Sequence, residues 1–206
     1  MKRCIIIGAA PIANYAPLRA ALREDDFLIY CDGGLQHEVA LGRAPDLIVG
    51  DFDSHEQPGR PIETIVLPCE KDDTDTVFAV KEALARGFDE FLLFGVVGGR
   101  LDHSLGNVSV LLFLHSRGIP ATLFDDFSQM CIVGQTPALV DDSFAYFSLL
   151  NISGQAQGVY IQNAKYPLAG AQISCEYQYG VSNEPLPGQS AKIWVEQGRL
   201  LLIKVY

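Results

Sequence analysis

The sequence predicts an open, mostly parallel, doubly wound α/β sheet domain followed by a small all-β sandwich domain. Up to Asp125, short apolar runs alternate with helical segments, which is typical of a parallel sheet with helices on both faces. From residue 126 onward no helical period persists, and short β-prone runs are separated by Gly, Pro and Asn, which indicates antiparallel β structure. We therefore expect an α/β domain over residues 1–125 and a β-sandwich over residues 126–206.

The strands of the first half are short apolar runs that stop at glycine or acidic residues, as strands buried on both faces do. These runs are Cys4–Ile7, Phe27–Cys31, Leu47–Val49, Ile62–Leu67, Phe91–Val97 and Ala121–Phe124. The segments between them favour helices, several of which are closed by a glycine. The predicted helices are Pro17–Glu24, Leu35–Leu41, Thr74–Arg86 and Asp102–Arg117.

The second half contains only short β-prone runs, none long enough in a 3.6-residue pattern to suggest a helix. The predicted strands are Met130–Val133, Phe144–Leu150, Val159–Gln162, Gln172–Tyr177, Lys192–Val195 and Leu200–Val205.

Composition narrows the function class. The net charge is −10 and 49% of the 206 residues are hydrophobic, so the chain can bury a large core. An acidic chain is a poor nucleic-acid binder, because affinity for the phosphate backbone depends on clustered Lys and Arg. No apolar run approaches the ~20 residues that cross a bilayer, so we expect no membrane partner. Five dispersed cysteines without CxxC spacing predict buried thiols in a reducing cytoplasm.

Polar motifs fall where four predicted strands end. Ligands of open α/β sheets bind beyond the carboxyl ends of the strands, so these motifs should share one rim. The motifs are Asp32-Gly33-Gly34, Gly50-Asp51-Phe52-Asp53-Ser54, Lys71-Asp72-Asp73-Thr74-Asp75 and Gly98-Gly99-Arg100-Leu101-Asp102. A phosphate-binding P-loop and a GxGxxG dinucleotide motif are both absent from the sequence.

Asp51 and Asp53 are the first candidate metal ligands. If the chain is still extended there, side chains two residues apart point the same way and both carboxylates face one spot. Mg²⁺ takes oxygen ligands and commonly uses one or two carboxylates together with substrate phosphates. The alternative is a polar turn with an aspartate capping a helix.

The run from Lys71 to Asp75 opens the predicted third helix. Asp or Thr can cap the free backbone N–H groups there, and acids suit the positive end of the helix dipole. Three acids exceed what one cap requires, so we expect Asp75 to join the metal site and Lys71 to contact phosphate. Asp72 and Asp73 then remain candidates for capping.

The segment Gly98–His103 joins a strand to a helix N-terminus. Glycines there let backbone N–H groups approach an anion, and Arg100 can add a charge-assisted contact. Asp102 either caps the helix or reaches the metal. His103 has no second histidine at zinc-like spacing, so we expect it to orient a neighbour rather than ligate metal.

Taken in order, these four motifs resemble those of the bacterial thiamine pyrophosphokinase family. Three later segments are similar to that family's second-domain signatures, so the resemblance spans nearly the whole chain. They are Phe147-Ser148-Leu149, Lys165-Tyr166-Pro167-Leu168 and Ser182-Asn183-Glu184.

The resemblance implies transfer of the diphosphate of ATP to the hydroxyl of thiamine, giving thiamine diphosphate and AMP. It also implies a homodimer with thiamine near the interface. By match to the family pattern, Asp51, Asp53, Asp75 and Asp102 would hold Mg²⁺ on the ATP phosphates and form the catalytic set. The residues expected to bind nucleotide or thiamine are Asp32, Lys71, Asp72, Thr74, Arg100, His103, Tyr166, Ser182 and Asn183, of which the last three would help hold thiamine. Tyr166 offers a flat face for stacking, although a tyrosine packed within the β domain would also fit.

Two other functions remain compatible with an acidic rim. A magnesium-dependent phosphohydrolase or nucleotidyltransferase would not require thiamine. A non-catalytic sensor would bind the same ligands without turnover. Thiamine-dependent release of AMP separates the three hypotheses.

Overall fold

The computed structural model describes residues 1–52, 59, 61–70 and 72–206. The chain divides into two compact units, Met1–Asp126 and Phe127–Tyr206. Asp126 belongs to the first unit, where its carboxylate accepts hydrogen bonds from the backbone N–H groups of Ala13 and Asn14 at 2.9–3.0 Å.

The first unit is a parallel sheet with helices on both faces. Its strands are β1 Arg3–Ile7, β2 Phe27–Cys31, β3 Leu47–Gly50, β4 Glu63–Val66, β5 Glu90–Phe94 and β6 Ala121–Phe124. Its helices are α1 Ala16–Ala21, α2 Glu38–Leu41, α3 Asp75–Ala85 and α4 Leu101–His115, with a 3₁₀ helix over Asp32–His37. The strands pair in parallel in the order β6-β5-β1-β2-β3-β4.

Alternation along the strands assigns the helices to faces. Ile5 and Tyr30 pack with Leu18 of α1 and Leu41 of α2. Cys31, the next residue after Tyr30, points the opposite way and hydrogen-bonds to Thr76 of α3. Helices therefore cover both faces, which confirms the doubly wound architecture.

The second unit is a sandwich of two antiparallel sheets. One has the order β12-β9-β14-β7 and the other β11-β10-β13-β8. The strands are β7 Ser128–Val133, β8 Ala138–Val140, β9 Tyr146–Leu150, β10 Gln155–Gln162, β11 Leu168–Ser174, β12 Gly180–Asn183, β13 Ala191–Gln197 and β14 Leu200–Val205. Inward residues of both sheets form one apolar core that includes Phe147, Val159, Ile193 and Leu202.

Several predicted element bounds were wrong. The segment expected as a single helix over Leu35–Leu41 is a 3₁₀ helix followed by the four-residue α2. Strands β8 and β12 were missed. The first has only three residues, and Gly180-Val181-Ser182-Asn183 is a polar strand at the edge of its sheet, so neither carries a strong apolar signal.

The expectation of buried thiols holds for only part of the cysteines. All five are free; Cys4 and Cys31 are buried within strands, whereas Cys69 and Cys175 are exposed because they lie outside the strands and helices. Within the described ranges, no helix combines the length and the apolar character that crossing a bilayer requires.

Candidate functional site

The carboxyl ends of β1, β2, β3 and β5 border a cavity of about 540 Å³ in the first unit. Polar and glycine residues from four loops and from the starts of α3 and α4 line it. The lining residues are Gly8, Ala9, Ala10, Pro11, Cys31, Asp32, Gly33, Asp51, Thr74, Asp75, Thr76, Gly95, Val96, Gly98, Gly99, Arg100, His103 and Asn107. The expectation that the polar motifs meet beyond the carboxyl ends of the strands therefore located this rim correctly.

Two glycines bring β1 and β5 together at this cavity. A Cβ atom added to Gly8 would lie 2.6 Å from the carbonyl oxygen of Gly95, and one added to Gly95 would lie equally close to that of Gly8. Gly95 also has a positive φ of 61°. The Ala10 N–H donates to the Gly95 carbonyl at 2.7 Å, which ties the loop after β1 to the end of β5. Any larger residue at either position would separate these loops.

Three aspartates from different elements line the acidic side of the cavity. Asp32 begins the 3₁₀ helix, Asp51 follows β3, and Asp75 is the first residue of α3. One carboxylate oxygen each of Asp32 and Asp75 is fully buried. Gly50 makes room for Asp32, because an added Cβ at position 50 would lie 2.7 Å from the Asp32 Cβ.

The backbone between Asp51 and Asp53 is not extended as the sequence argument assumed. Strand β3 ends at Gly50, and Phe52 adopts a positive φ of 54°, an unfavourable conformation for a bulky side chain. Alternation along a strand therefore does not set the relative directions of the two carboxylates. Asp53 lies outside the described residues, as does Lys71.

Thr74 caps α3. Its side-chain oxygen accepts from the Val77 N–H at 3.3 Å, which leaves Asp75 in the first turn, directed to the cavity. The suggestion that Asp73 caps the helix was wrong, because its carboxylate instead binds the Lys81 ammonium at 2.6 Å. Asp72 is exposed and is not among the residues that line the cavity.

Side chains of α4 brace the glycine-containing loop between β5 and α4. The Ser104 hydroxyl accepts from the Gly98 N–H at 3.0 Å and donates to the Arg100 carbonyl at 2.9 Å. The Asn107 amide donates to the Val96 carbonyl at 2.7 Å. Gly98 and Gly99 both have positive φ, so the loop turns sharply at the N-terminus of a 15-residue helix. Backbone N–H groups in this position attract anions.

Arg100 and Asp102 form an ion pair at the mouth of the cavity. The guanidinium donates to the two carboxylate oxygens at 2.6 and 3.2 Å, and the His103 N–H adds a contact at 3.0 Å. Arg100 first, and that N–H second, lower the pKa of Asp102 to about 2. Both side chains of the pair are largely exposed, and only Arg100 lines the cavity. Asp102 therefore lies beside the rim, held by a cation.

His103 lines the cavity from the first turn of α4. His37 does not line the cavity but holds the loop after β1 through a hydrogen bond to Ala10. Its Nε2 donates to the Ala10 carbonyl at 3.0 Å, and because that carbonyl can only accept, Nδ1 accepts from the Tyr15 hydroxyl at 2.7 Å. Burial lowers the pKa of His37, so the neutral ring is favoured.

The predicted metal residues are brought together only in part. Asp51 and Asp75 share the cavity, Asp53 is not described, and Asp102 is bound by Arg100. In the described part of the chain, no three His, Cys, Asp or Glu side chains are grouped so as to hold a metal ion. The donor chemistry nevertheless fits Mg²⁺, which takes one or two carboxylates and completes its shell with water and phosphate oxygens.

The three residues expected near thiamine cluster in the second unit. The side-chain Oδ1 of Asn183 accepts from the Tyr166 and Glu184 backbone N–H groups at 3.0 and 2.9 Å, and its Nδ2 donates to the Tyr166 backbone carbonyl at 2.8 Å. Lys165 binds the Glu184 carboxylate at 2.7 Å beside the same turn. Asn183 is thus buried and committed to the backbone, and its contacts position Tyr166.

Tyr166 and Ser182 are accessible to a ligand. The Tyr166 side chain is 60% exposed, with the Lys165 ammonium 5.7 Å from its ring centre. Ser182 is exposed and has a positive φ of 57°, while its N–H donates to the Ser148 hydroxyl at 3.0 Å. This conformation is uncommon for a serine and holds the edge strand in a bulged form.

Sequence reasoning missed Asn107 and the loop from Gly8 to Pro11. The loop was detectable, because Gly8 ends the first apolar run at the same rim as the other motifs. Asn107 also left a signal, because it lies four positions after His103 in the predicted fourth helix and so on the same helix face.

Comparison with known proteins gives a consistent result for both units. Residues 18–123 match the family model described as thiamin pyrophosphokinase, catalytic domain, and residues 138–200 match the vitamin B1 binding domain of the same family. A thiamine pyrophosphokinase of Bacillus subtilis is 31% identical, over 89% of this chain and 90% of that protein.

Solved structures agree in fold. A crystal structure of thiamine pyrophosphokinase from Bacillus subtilis has a TM-score of 0.88 and 25% identity, covering 99% of each chain. Another, from Geobacillus thermodenitrificans, has a TM-score of 0.84 and 28% identity, covering 100% of this chain and 98% of that one.

Proposed function

This chain belongs to the thiamine pyrophosphokinase family, and on that premise we propose that it transfers the diphosphate of ATP to thiamine with Mg²⁺, using the cavity of its first unit. A thiamine pyrophosphokinase is a transferase whose product is thiamine diphosphate. To the family assignment we add a dependence on Mg²⁺ and roles for individual residues.

One observation carries the assignment of the site. The cavity of about 540 Å³ is lined by Asp32 and Asp51, which follow β2 and β3, by Asp75 of α3, and by Arg100 and the N-terminal end of α4, which follow β5 on the other side of β1 in the sheet. An acidic side suits a cation, and a helix N-terminus with an arginine suits phosphate groups. A nucleoside triphosphate with a bound divalent cation requires both.

On the acidic side, Asp51 and Asp75 would hold Mg²⁺ together with Asp53, two positions after Asp51 in the sequence. The ion would neutralise phosphate charge and orient the phosphate chain when bound. Thr74 contributes indirectly, since its cap fixes the first turn of α3 and therefore the position of Asp75. Asp32 lines the same cavity, and its buried carboxylate oxygen would strengthen the attraction for a cation.

On the opposite side, the loop from Gly98 to Arg100 would receive the phosphates. Its turn is held by Ser104 and Asn107, so the backbone N–H groups are positioned before the nucleotide arrives. Arg100 would contact phosphate oxygens, with Lys71 as a second cation. The contacts of Asp102 favour a role in holding Arg100 over the metal-ligand role that the resemblance implies. His103 lines this side and would orient the phosphates.

The reaction needs positioning and charge neutralisation more than a strong nucleophile. The thiamine hydroxyl oxygen bonds to the β-phosphorus, the bond from that phosphorus to the α,β-bridging oxygen breaks, and AMP leaves. The hydroxyl proton passes to a base, for which the cavity carboxylates are the available acceptors. Small residues and glycines around the cavity leave space for the reacting groups.

For the second substrate, Tyr166 and Ser182 would contact thiamine, and Asn183 would hold Tyr166 in place through its two hydrogen bonds to the Tyr166 backbone. An exposed ring can stack on an aromatic cation such as the thiazolium. Tyr146 and Val181, on the paired strands β9 and β12 of the second unit, are exposed apolar residues as well. A second copy of this chain would cover them, which supports a homodimer.

The five free thiols support a cytoplasmic location.

The test is an incubation with ATP, Mg²⁺ and thiamine in which AMP and thiamine diphosphate are both quantified. We expect equal amounts of the two products, none without thiamine, and none after chelation of the metal. AMP release that does not depend on thiamine would identify a phosphohydrolase instead. Ligand binding without either product would identify a sensor. Light scattering on the same sample measures whether the chain is a dimer.

A further inference from the structure

We propose that the side-chain oxygen of Asn107 recognises an exocyclic amino group on the aminopyrimidine ring of a substrate. This rests on the proposed function, whose two substrates each carry such a ring, as adenine in ATP and as the pyrimidine of thiamine. The inference adds a residue that determines which ring is accepted.

The orientation of the Asn107 amide follows from its partner. Its nitrogen lies 2.7 Å from the Val96 carbonyl oxygen, which can only accept a hydrogen bond. The NH₂ group therefore faces Val96 and Oδ1 faces away from it. That bond is the one contact of the Asn107 side chain within the described residues, so its oxygen remains open as an acceptor.

Asn107 is only 7% exposed, and the little surface it retains lies in the cavity. Among the described residues, Asn107 Oδ1 is not one of the fully buried side-chain atoms that lack a partner, so a ligand can reach it from the cavity. A substrate that supplies a donor there gains a hydrogen bond that a substrate without one does not make. This makes Asn107 suited to selecting between ligands with and without a donor at that point.

The chemistry of the surroundings restricts the ligand. Phosphate oxygens are anionic acceptors and would be repelled by Oδ1. The cavity lining also includes Ala9, Ala10 and Pro11, whose small apolar surfaces suit a flat ring better than a charged group. Asn107 lies six residues beyond Leu101, the first residue of α4, which is about 9 Å along the helix from its N-terminal end. A ring attached through a sugar or a short linker spans such a distance.

The test compares each substrate with an analogue that lacks only the amino group. The analogues are purine riboside triphosphate, for ATP, and thiamine with hydrogen in place of its pyrimidine amino group. In the wild-type protein we expect the amino form of one substrate to be preferred by about tenfold or more in kcat/KM, as loss of one buried hydrogen bond predicts. In Asn107→Ala that preference should fall to near unity. The affected pair tells whether adenine or thiamine is the ring recognised.

Ser104→Ala is the matched control, because Ser104 braces the same loop and does not line the cavity. It should lower kcat/KM for amino and amino-free substrates alike and leave both ratios unchanged. If Asn107→Ala behaves in the same way, with both preference ratios at the wild-type value, Asn107 is only a brace and the proposal is wrong.

Measuring ligand binding without turnover tests the role of Asn107 independently of the proposed reaction. Calorimetric titration of ATP, thiamine and the two analogues measures the same preferences without turnover. A protein that binds an amino form selectively through Asn107 but forms no thiamine diphosphate would retain this inference and refute the proposed reaction. Equal affinities for amino and amino-free ligands in the wild-type protein would refute the inference alone.

Discussion

Gly50 at the end of β3 lies directly against Asp32 at the end of β2. A Cβ atom added to Gly50 would come within 2.7 Å of the Asp32 Cβ and 3.1 Å of its Cα. The two strands are neighbours, and this close approach seats a buried carboxylate beside Asp51, the residue that follows Gly50. The position of one acid in the site thus depends on the absence of a side chain on the next strand.

Gly50→Ala should therefore disturb the site and the fold together. We expect a loss of about 1–3 kcal/mol in the free energy of unfolding, as for overpacking of a tight site, and a lower kcat. Gly106→Ala is the control, since an added Cβ there meets nothing within 4 Å and the residue lies in α4. That change should stabilise the protein by about 0.5–1 kcal/mol. Urea unfolding measures both, and an undiminished stability for Gly50→Ala would contradict the packing argument.

Asp51→Asn tests the acidic side of the cavity. Removing one carboxylate charge should reduce turnover at least ~10²-fold, as expected for a central electrostatic contributor. We expect a similar loss in Asp53→Asn. The control is Asp25→Asn, the same chemical change at an exposed residue. Asp25 precedes the amino end of β2, whereas the cavity lies at the carboxyl end, so this variant should retain wild-type kcat. Initial rates at saturating ATP and thiamine decide the matter; full activity in Asp51→Asn would show that it is only a turn residue.

Tyr166 should affect thiamine more than ATP. Its exposed ring is available for stacking, so Tyr166→Ala should raise the KM for thiamine by about tenfold, whereas Tyr166→Phe keeps the ring and should change it little. The KM for ATP should stay within about twofold in both variants. An equal effect of Phe and Ala would instead assign the contribution to the hydroxyl group.

The buried pair of Arg3 and Asp26 is a structural element far from the reaction. Arg3 donates to the two Asp26 oxygens at 2.6 and 2.7 Å, and both side chains are almost wholly buried. Asp26→Asn leaves a buried guanidinium without its charge partner, so we expect a loss of about 3–5 kcal/mol in unfolding free energy. The double variant Arg3→Met with Asp26→Leu should recover much of it. If the double variant is less stable than Asp26→Asn, the interpretation as an uncompensated charge is wrong.

His37 should make stability depend on pH near neutrality. Burial holds its folded pKa below the ordinary value of 6.5, so as pH falls below that value the unfolded chain takes up a proton before the folded one does. The contribution of the neutral ring to stability is present above that pH and is lost as pH falls toward the lowered pKa. Thermal unfolding between about pH 7.5 and pH 5.5 should show a smaller decrease in His37→Gln than in the wild type.

Much of the fold was predictable because β1, β2, β3 and β5 of the first unit are buried along almost their whole length. Such strands must be apolar along their length, so their polar neighbours mark where they end, and β2 and β6 were predicted to the residue. Element bounds failed where hydrophobicity carries little information. Strand β12 is stabilised by pairing with β9 and contains a bulge, and the sequence of its four residues indicates neither feature.

The candidate site was predictable in location but not in detail. Asp73 and Asp75 are two residues apart in one acidic run, yet Asp73 binds Lys81 and Asp75 faces the cavity. That difference depends on where α3 begins, which Thr74 decides by capping it. Asp102 was likewise indistinguishable from the other acids until its pairing with Arg100 was seen.

The sequence by itself determined the order of strands and helices, the rim on which the polar motifs meet, and the family to which the chain belongs. These follow from local patterns, since burial on both faces and chain reversal at glycine act over a few residues. Only the tertiary structure decided which acids share the cavity, which are bound by cations, and that Asn107 presents an acceptor there. Those outcomes depend on contacts between residues far apart in the chain, such as the approach of Gly50 to Asp32, which no local pattern specifies.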